Sequence, residues 1–472
     1  MGNKRQPFEF VPVSGTNIKG DAATRKRVRS RAQADYRRKN PPAPKPALND
    51  HFDVGQWLRV LSHDISAIEP TALKASPAAA QRSASSNGTV ARLSPFERKG
   101  SDVFQLMNTA ERNRAQILWQ HLYGGTCVVF KSMVEIGFLD LLQESAALTQ
   151  MLSSSAWHMR NETEANSENK LDYARYSVMA TSSLRHMLSD PSKRVTLETV
   201  IAILTFAAYA NLTSDPNLVN IHLDGLCHAL SYVGGLQSID SLPVIRTMVY
   251  WIDLRAAFLQ DVEPRFPQPM TILAQRSKIV PVQATGLVPD LPDDVQISFI
   301  CESIEKLNIV IQCRLETAGD GLWGDVLFPQ FHLAPILHVL LSMSRASVMN
   351  SASAHSKELF RLAAVLYLCK LWTLFGMDMV GDARYVAKLE LSWTQQDLSL
   401  IWCFERPLFL WTILVSCTYE KAPVEMRREM VHLLQEHGWQ YHQPLGVVPR
   451  SLWSESALGS PDPILQCGES ST

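Results

Sequence analysis

Between residues 101 and 445 the apolar positions recur every three to four residues, with few runs of strict alternation, and this is the period of helices that bury one face. No Asn-Gly turn stands between apolar strands there. The pattern predicts roughly nine to twelve helices. The clearest is DDVQISFICESIEKLNIVIQCRLETAG, residues 293–319, in which Ile297, Ile300, Cys301, Ile304, Leu307, Ile311 and Leu315 share a face. Asp293 and Asp294 supply negative charge where helix N–H groups are unpaired, and Gly319 supplies a stop. A second, PVEMRREMVHLLQEHG at 423–438, opens near Pro423 and sets Met426, Met430, Leu433 and His437 on one side. LFRLAAVLYLCKLWTLFG at 359–376 is apolar nearly all round, which predicts a helix inside the array. TVIAILTFAAYANLTS at 199–214 carries no charge, yet it is short and polar for a membrane span, so a buried core helix is expected. No fixed-period repeat announces a solenoid. The fold class expected is all-α, an irregular multi-helix array.

The remaining segments differ in kind. Residues 1–47 read as a disordered basic arm closed by NPPAPKPALND, whose prolines forbid a continuing helix. Residues 48–100 hold a short apolar segment with Phe52, Trp57 and Leu58, then a Pro/Ala/Ser-rich linker too poor in apolar surface to offset its ordering entropy. Residues 101–445 form the helical domain, and 446–472 a tail.

Charge sharpens this division. The net charge is −1. Before Pro41, eleven basic residues face three acidic ones, so the arm carries +8 and the remainder −9. Such an arm suits a polyanion, an acidic protein or plain solvation. Residues 24–40, TRKRVRSRAQADYRRKN, hold the candidate site residues Arg25, Lys26, Arg27, Arg29, Arg31, Arg37, Arg38 and Lys39. As a helix this run would align Arg27, Arg31 and Arg38, with Val28, Ala32 and Tyr36 as a narrow stripe opposite. That stripe is too thin to fold the helix unaided, so order would come on binding to phosphates. A leucine-zipper basic region is excluded by the prolines at 41, 42, 44 and 46. A nuclear address through RKRVR needs only exposed basic residues. Import machinery, nucleic-acid phosphates and a solvated arm all stay open.

Other chemistries find little support. Eight cysteines lie at wide spacing with no C-x-x-C pair, against both a disulfide framework and a cysteine-rich zinc module. The first residues lack the apolar core of a secretory signal, so an intracellular protein is expected and the N-x-S/T matches at Asn87, Asn161 and Asn211 carry little weight. There is no phosphate loop, no G-x-G-x-x-G, no G-x-S-x-G and no H-E-x-x-H. His332 and His338, six apart, fall on different faces of a helix, and His432 and His437 pair little better. No catalytic residue, metal ligand, cofactor or membrane association is expected.

Several stretches resemble a known family. The arm, with FEFV at 8–11 followed by RKRVRSRAQADYRRK, resembles the N-terminal signature of fungal proteins related to fungal-specific transcription factors. NIHLDGLCHALSYVGGL at 220–236 is similar to a histidine-bearing helix of that family's regulatory domain that runs into a Gly-Gly turn. VYWIDLRAAFLQDVEPRFP at 249–267 resembles its next element, and RPLFLWTILVSCTYE at 406–420 its apolar C-terminal helix. These residues also make sense as core. Leu223, Leu226, Cys227, Leu230 and Val233 form one apolar face, His222 caps the helix or faces solvent, and Gly234-Gly235 gives a left-handed stop. Trp251, Leu254 and Phe258 form a second face, Asp253 and Arg255 point elsewhere, and Pro264 and Pro267 end the helix. Phe206, Trp251 and Trp372 are candidates either for core or for the wall of a ligand cavity.

The resemblance implies a nuclear regulator whose helical domain binds protein partners or a small effector. The family's DNA-binding members carry a six-cysteine zinc cluster ahead of that domain, and here no cysteine precedes Cys127. Sequence-specific DNA reading therefore does not follow. The alternative is an accessory factor or enzyme of fungal metabolism that uses an apolar helical cavity.

Overall fold

Helix-end chemistry explains where the central elements start and stop. The Asp215 carboxylate accepts hydrogen bonds from the N–H groups of Asn217 and Leu218, each at 3.0 Å, and Pro216 follows at the first helical position, where an N–H would go unpaired anyway. That helix, Pro216–Val233, ends at Gly234 with φ +109°, a backbone that a side chain resists. Its predecessor, Leu197–Leu212, begins where Thr199 Oγ1 accepts a hydrogen bond from the Thr196 N–H at 3.4 Å.

The computed structural model describes residues 109–142, 145–162, 167–189, 195–277, 293–343, 352–377, 381–395 and 406–419. In chain order the helices are α1 (Thr109–Tyr123), α2 (Val128–Glu135), α3 (Ser145–Glu162), α4 (Ser167–Ser189), α5 (Leu197–Leu212), α6 (Pro216–Val233) and α7 (Pro243–Gln260). There follow α8 (Met270–Arg276), α9 (Asp293–Ala318), α10 (Ala334–Ser342), α11 (Ala352–Leu374), α12 (Asp382–Gln395) and α13 (Arg406–Cys417). Among the described residues there are thirteen α-helices and no strands, so the fold is all-α as the periodicity predicts. The helix number exceeds the expected range because elements such as α2 and α8 are too short to establish a period.

In the first half of the array α3 and α4 pack along each other, α1 and α5 lie against α3, and α5 pairs with α6. In the second, α11 is surrounded by α9, α10, α12 and α13. Helix α7 joins the halves, touching α5 and α6 as well as α10. The unbroken run from Leu359 to Cys369 on α11 is buried throughout, as expected for a helix apolar all round. Helix α9 buries Ile297, Ile300, Ile304, Leu307 and Ile311, keeps Cys301 and Leu315 at the edge, and gives way at Gly319, φ +55°. Helix α5 is buried nearly end to end. No single helix among the described residues is long and apolar enough to cross a membrane.

Two local expectations are corrected. His222 neither caps nor meets solvent: it is 1% exposed, with its ring 5.5 Å from that of Phe206. Helix α7 stops at Gln260, four residues before Pro264, because Asp261 adopts left-handed backbone at φ +52°. The basic arm and the helix expected at 423–438 lie outside the described residues.

Candidate functional site

Helix α7 carries a stripe that packing does not fill. Met248, Trp251, Ile252, Arg255 and Phe258 recur at helical spacing and line one side of a cavity of about 360 Å³. Its other walls come from Cys127, Val128 and Met133 around the start of α2, Ala208 and Leu212 at the end of α5, Leu337 on α10, and Trp372 and Met377 around the end of α11. Thr126, Val129 and Gly376 are exposed and mark its rim. The size falls within the range of small-molecule sites, about 300–1,000 Å³, and the mostly apolar wall with a few polar groups fits that class.

The expectation for α7 is thus half right. Trp251 and Trp372 do line a cavity, whereas Phe206 is core against His222. Arg255, expected to point away, belongs to the cavity stripe, since it lies four residues beyond Trp251 and three before Phe258. Its guanidinium carbon stands 5.5 Å from the centre of the Phe258 ring, within cation–π range. Asp253 does point elsewhere.

Few groups here are arranged for covalent chemistry. Ser132 Oγ donates to the Val128 carbonyl at 2.9 Å and not to a histidine. His158 Nδ1 lies 3.0 Å from His121 Nε2, one nitrogen donating and the other accepting, with Phe130 packed against both rings. Asn211 donates through its Nδ2 to the Ile252 carbonyl at 2.8 Å and so pins α5 to α7. Among the described residues no group of three or more His, Cys, Asp or Glu is placed to hold a metal ion.

Behind the cavity, the opposite side of α7 holds the chain that leaves it. Asp253, 2% exposed, accepts from the Phe266 N–H at 2.8 Å, and burial pushes its carboxyl up to about 6 against that bond's opposing pull. Arg246 donates to the Pro267 carbonyl at 2.6 Å and pairs with Asp240 at 3.3 Å. His338 on α10 shares a hydrogen bond with the Phe266 carbonyl at 3.1 Å, and burial holds its imidazole down at about 4. Arg265 pairs with Asp224 on α6. The stretch after α7 is therefore tied to α6, α7 and α10. In the sequence the prolines are the visible signal, while the side chains that hold this stretch come from three separate helices.

Arg25, Lys26, Arg27, Arg29, Arg31, Arg37, Arg38 and Lys39 all fall outside the described residues, so the structure does not place them near the cavity or apart from it.

Residues 121–270 match the family model of the fungal specific transcription factor domain, about a third of the chain. The match covers α2 to α7, stopping at the first residue of α8, and so includes the α2, α5 and α7 walls of the cavity, whereas the walls from α10 and α11 come from beyond it. It suggests a regulatory role and points to a non-enzymatic regulator. No curated protein and no solved structure matches the chain.

Proposed function

We propose that this protein is a transcription regulator of the nucleus whose helical domain senses a small effector in the cavity beside α7. One observation carries the reading: the cavity straddles the matched segment and the helices that follow it. A ligand seated there touches α2, α5 and α7 together with α10 and α11, so its binding energy bears on how the two halves pack. Effector occupancy then alters the surface offered to protein partners. The basic arm, through Arg25, Lys26, Arg27 and Arg29, delivers the chain to the import machinery, and its remaining basic residues are available to nucleic-acid phosphates.

Imaging of the tagged full-length chain tests the delivery. Replacing Arg25, Lys26, Arg27 and Arg29 together with alanine should shift the protein from nucleus to cytoplasm, and a wild-type chain already retained in the cytoplasm would overturn the nuclear assignment. Titration of the same full chain with apolar small molecules tests the sensing, the expected result being saturable binding at one site.

A further inference from the structure

A second polar cluster stands behind α7, and none of its members lines the cavity. Arg246 spends its Nε on Asp240 at 3.3 Å and its Nη2 on the Pro267 carbonyl at 2.6 Å. Gln268 donates through Nε2 to the Pro335 carbonyl of α10 at 3.2 Å. What remains is Arg246 Nη1, Tyr250 Oη and Gln268 Oε1, and among the described residues each of these three atoms is buried with no hydrogen-bond partner. All three residues are at least nine-tenths buried. An unpaired buried polar atom bears its full desolvation cost, so three in one place call for an explanation. Their neighbours show that they converge. Arg246 and Tyr250 lie one turn apart on α7, and the Arg246 guanidinium reaches Pro267, the residue beside Gln268. Gln268 holds Pro335, and one turn further along α10 His338 sets its ring 5.8 Å from that of Tyr250. The three atoms gather without bonding to one another.

From this convergence we infer that one water molecule binds among Arg246, Tyr250 and Gln268 and completes the hydrogen bonding of all three. Arg246 Nη1 and the Tyr250 hydroxyl donate to the two lone pairs of the water oxygen, and the water donates a proton to Gln268 Oε1. Three such bonds are the usual complement of a buried water. Burial holds the Tyr250 phenol well above its ordinary range, so it keeps the proton it donates. Charge selects the occupant. An anion would meet the Gln268 carbonyl oxygen and a cation would meet the guanidinium, whereas a small neutral molecule that both donates and accepts satisfies every atom. The site is independent of the effector cavity. Its water links α7, inside the matched segment, to a residue that is fastened to α10 beyond it.

A crystal structure of the full chain sharp enough to show ordered water tests the site directly. The expected result is one water within hydrogen-bond distance of Arg246 Nη1, Tyr250 Oη and Gln268 Oε1. A direct bond between Tyr250 and Gln268, an ion in that position, or the three atoms with no water between them overturns the inference. In solution, magnetic relaxation dispersion of water oxygen counts the long-lived internal waters of the same chain. Gln268→Met removes the acceptor and directs an apolar side chain toward Arg246 and Tyr250, so it should lower that count by one. An unchanged count overturns the inference as well. Should Gln268→Met not fold, the wild-type crystal structure decides alone.

Discussion

Arg361 and Asp261, a hundred residues apart, form a bidentate ion pair with both side chains fully buried, the two hydrogen bonds measuring 2.9 and 3.1 Å. Arg361 belongs to α11, and Asp261 is the left-handed residue that ends α7. Glu358 takes two more donors of the same guanidinium at 2.7 Å each, and Lys388 of α12 reaches Asp261 from the other side. Tyr385 adds a hydrogen bond to the Phe258 carbonyl at 2.7 Å and stacks on the Phe258 ring. The last turn of α7 is thereby fastened to α11 and α12.

Removing one member of that pair leaves the other charge buried and under-compensated, with Lys388 still on Asp261 or Glu358 still on Arg361. Arg361→Met should destabilise the fold by about 3–5 kcal/mol, and Asp261→Asn, which tolerates the left-handed backbone, should cost a comparable amount. The double variant should cost less than the two single losses together, because the buried charge that each single variant leaves under-compensated is then removed as well. Urea unfolding of all four proteins measures the coupling, and strict additivity would show that the pair is not an energetic unit.

Acid should weaken the protein through two histidines. Burial lowers His222 to about 3 and His338 to about 4, so both stay neutral in the folded chain while the unfolded chain protonates them near 6.5. Their contribution to stability is full above 6.5 and is lost as pH falls through that value toward their folded values. Asp253 acts oppositely: raised to about 6, it takes up its proton in the folded state first, and this adds stability as pH falls from about 6 to the unfolded value of 3.8. At pH 5 the balance is a net uptake of about one proton on unfolding, so stability still rises with pH. Unfolding free energies at pH 5, 6 and 7 test this, with His338→Leu expected to flatten the slope and Asp253→Asn to steepen it.

The start of α6 offers a smaller, cleaner effect. Asp215→Ala removes the acceptor for the Asn217 and Leu218 N–H groups and should cost about 0.5–2 kcal/mol, while Asp215→Asn should stay close to wild type. Thermal unfolding distinguishes the two.

Filling the cavity should separate sensing from folding. Ala208 sits in its wall, and Ala208→Leu adds three carbons where no atom stands. Affinity for an apolar small molecule that binds the wild-type chain should fall at least tenfold with the melting temperature held within a few degrees. An unchanged affinity would place the ligand elsewhere.

Local signals in the chain were legible where one helix settles the outcome. The face of α9, its stop at Gly319, the Gly234 turn and the all-round burial of α11 follow from spacing and composition within a single element. Helical spacing turns Arg255 away from the apolar face of α7, yet it lines the cavity, because spacing says which residues share a face, not what that face meets. His222 reads as polar, yet α6 turns it onto Phe206 of α5. Nothing near Arg361 announces a partner at Asp261, since the pair exists only once α7 and α11 have packed. The cavity is likewise a property of several elements that fail to meet, and no single stretch encodes it.

The placement of α7 has a practical side. The family match ends at residue 270, just past this helix, yet Tyr250, Leu254 and Phe258 are buried in the same core cluster as α9 to α13. A chain cut at that point would present those side chains to water and leave Asp261 without its arginine. The border of likeness is therefore not a border of solubility, and fragments for expression have to reach through α13 even though the family match ends long before it.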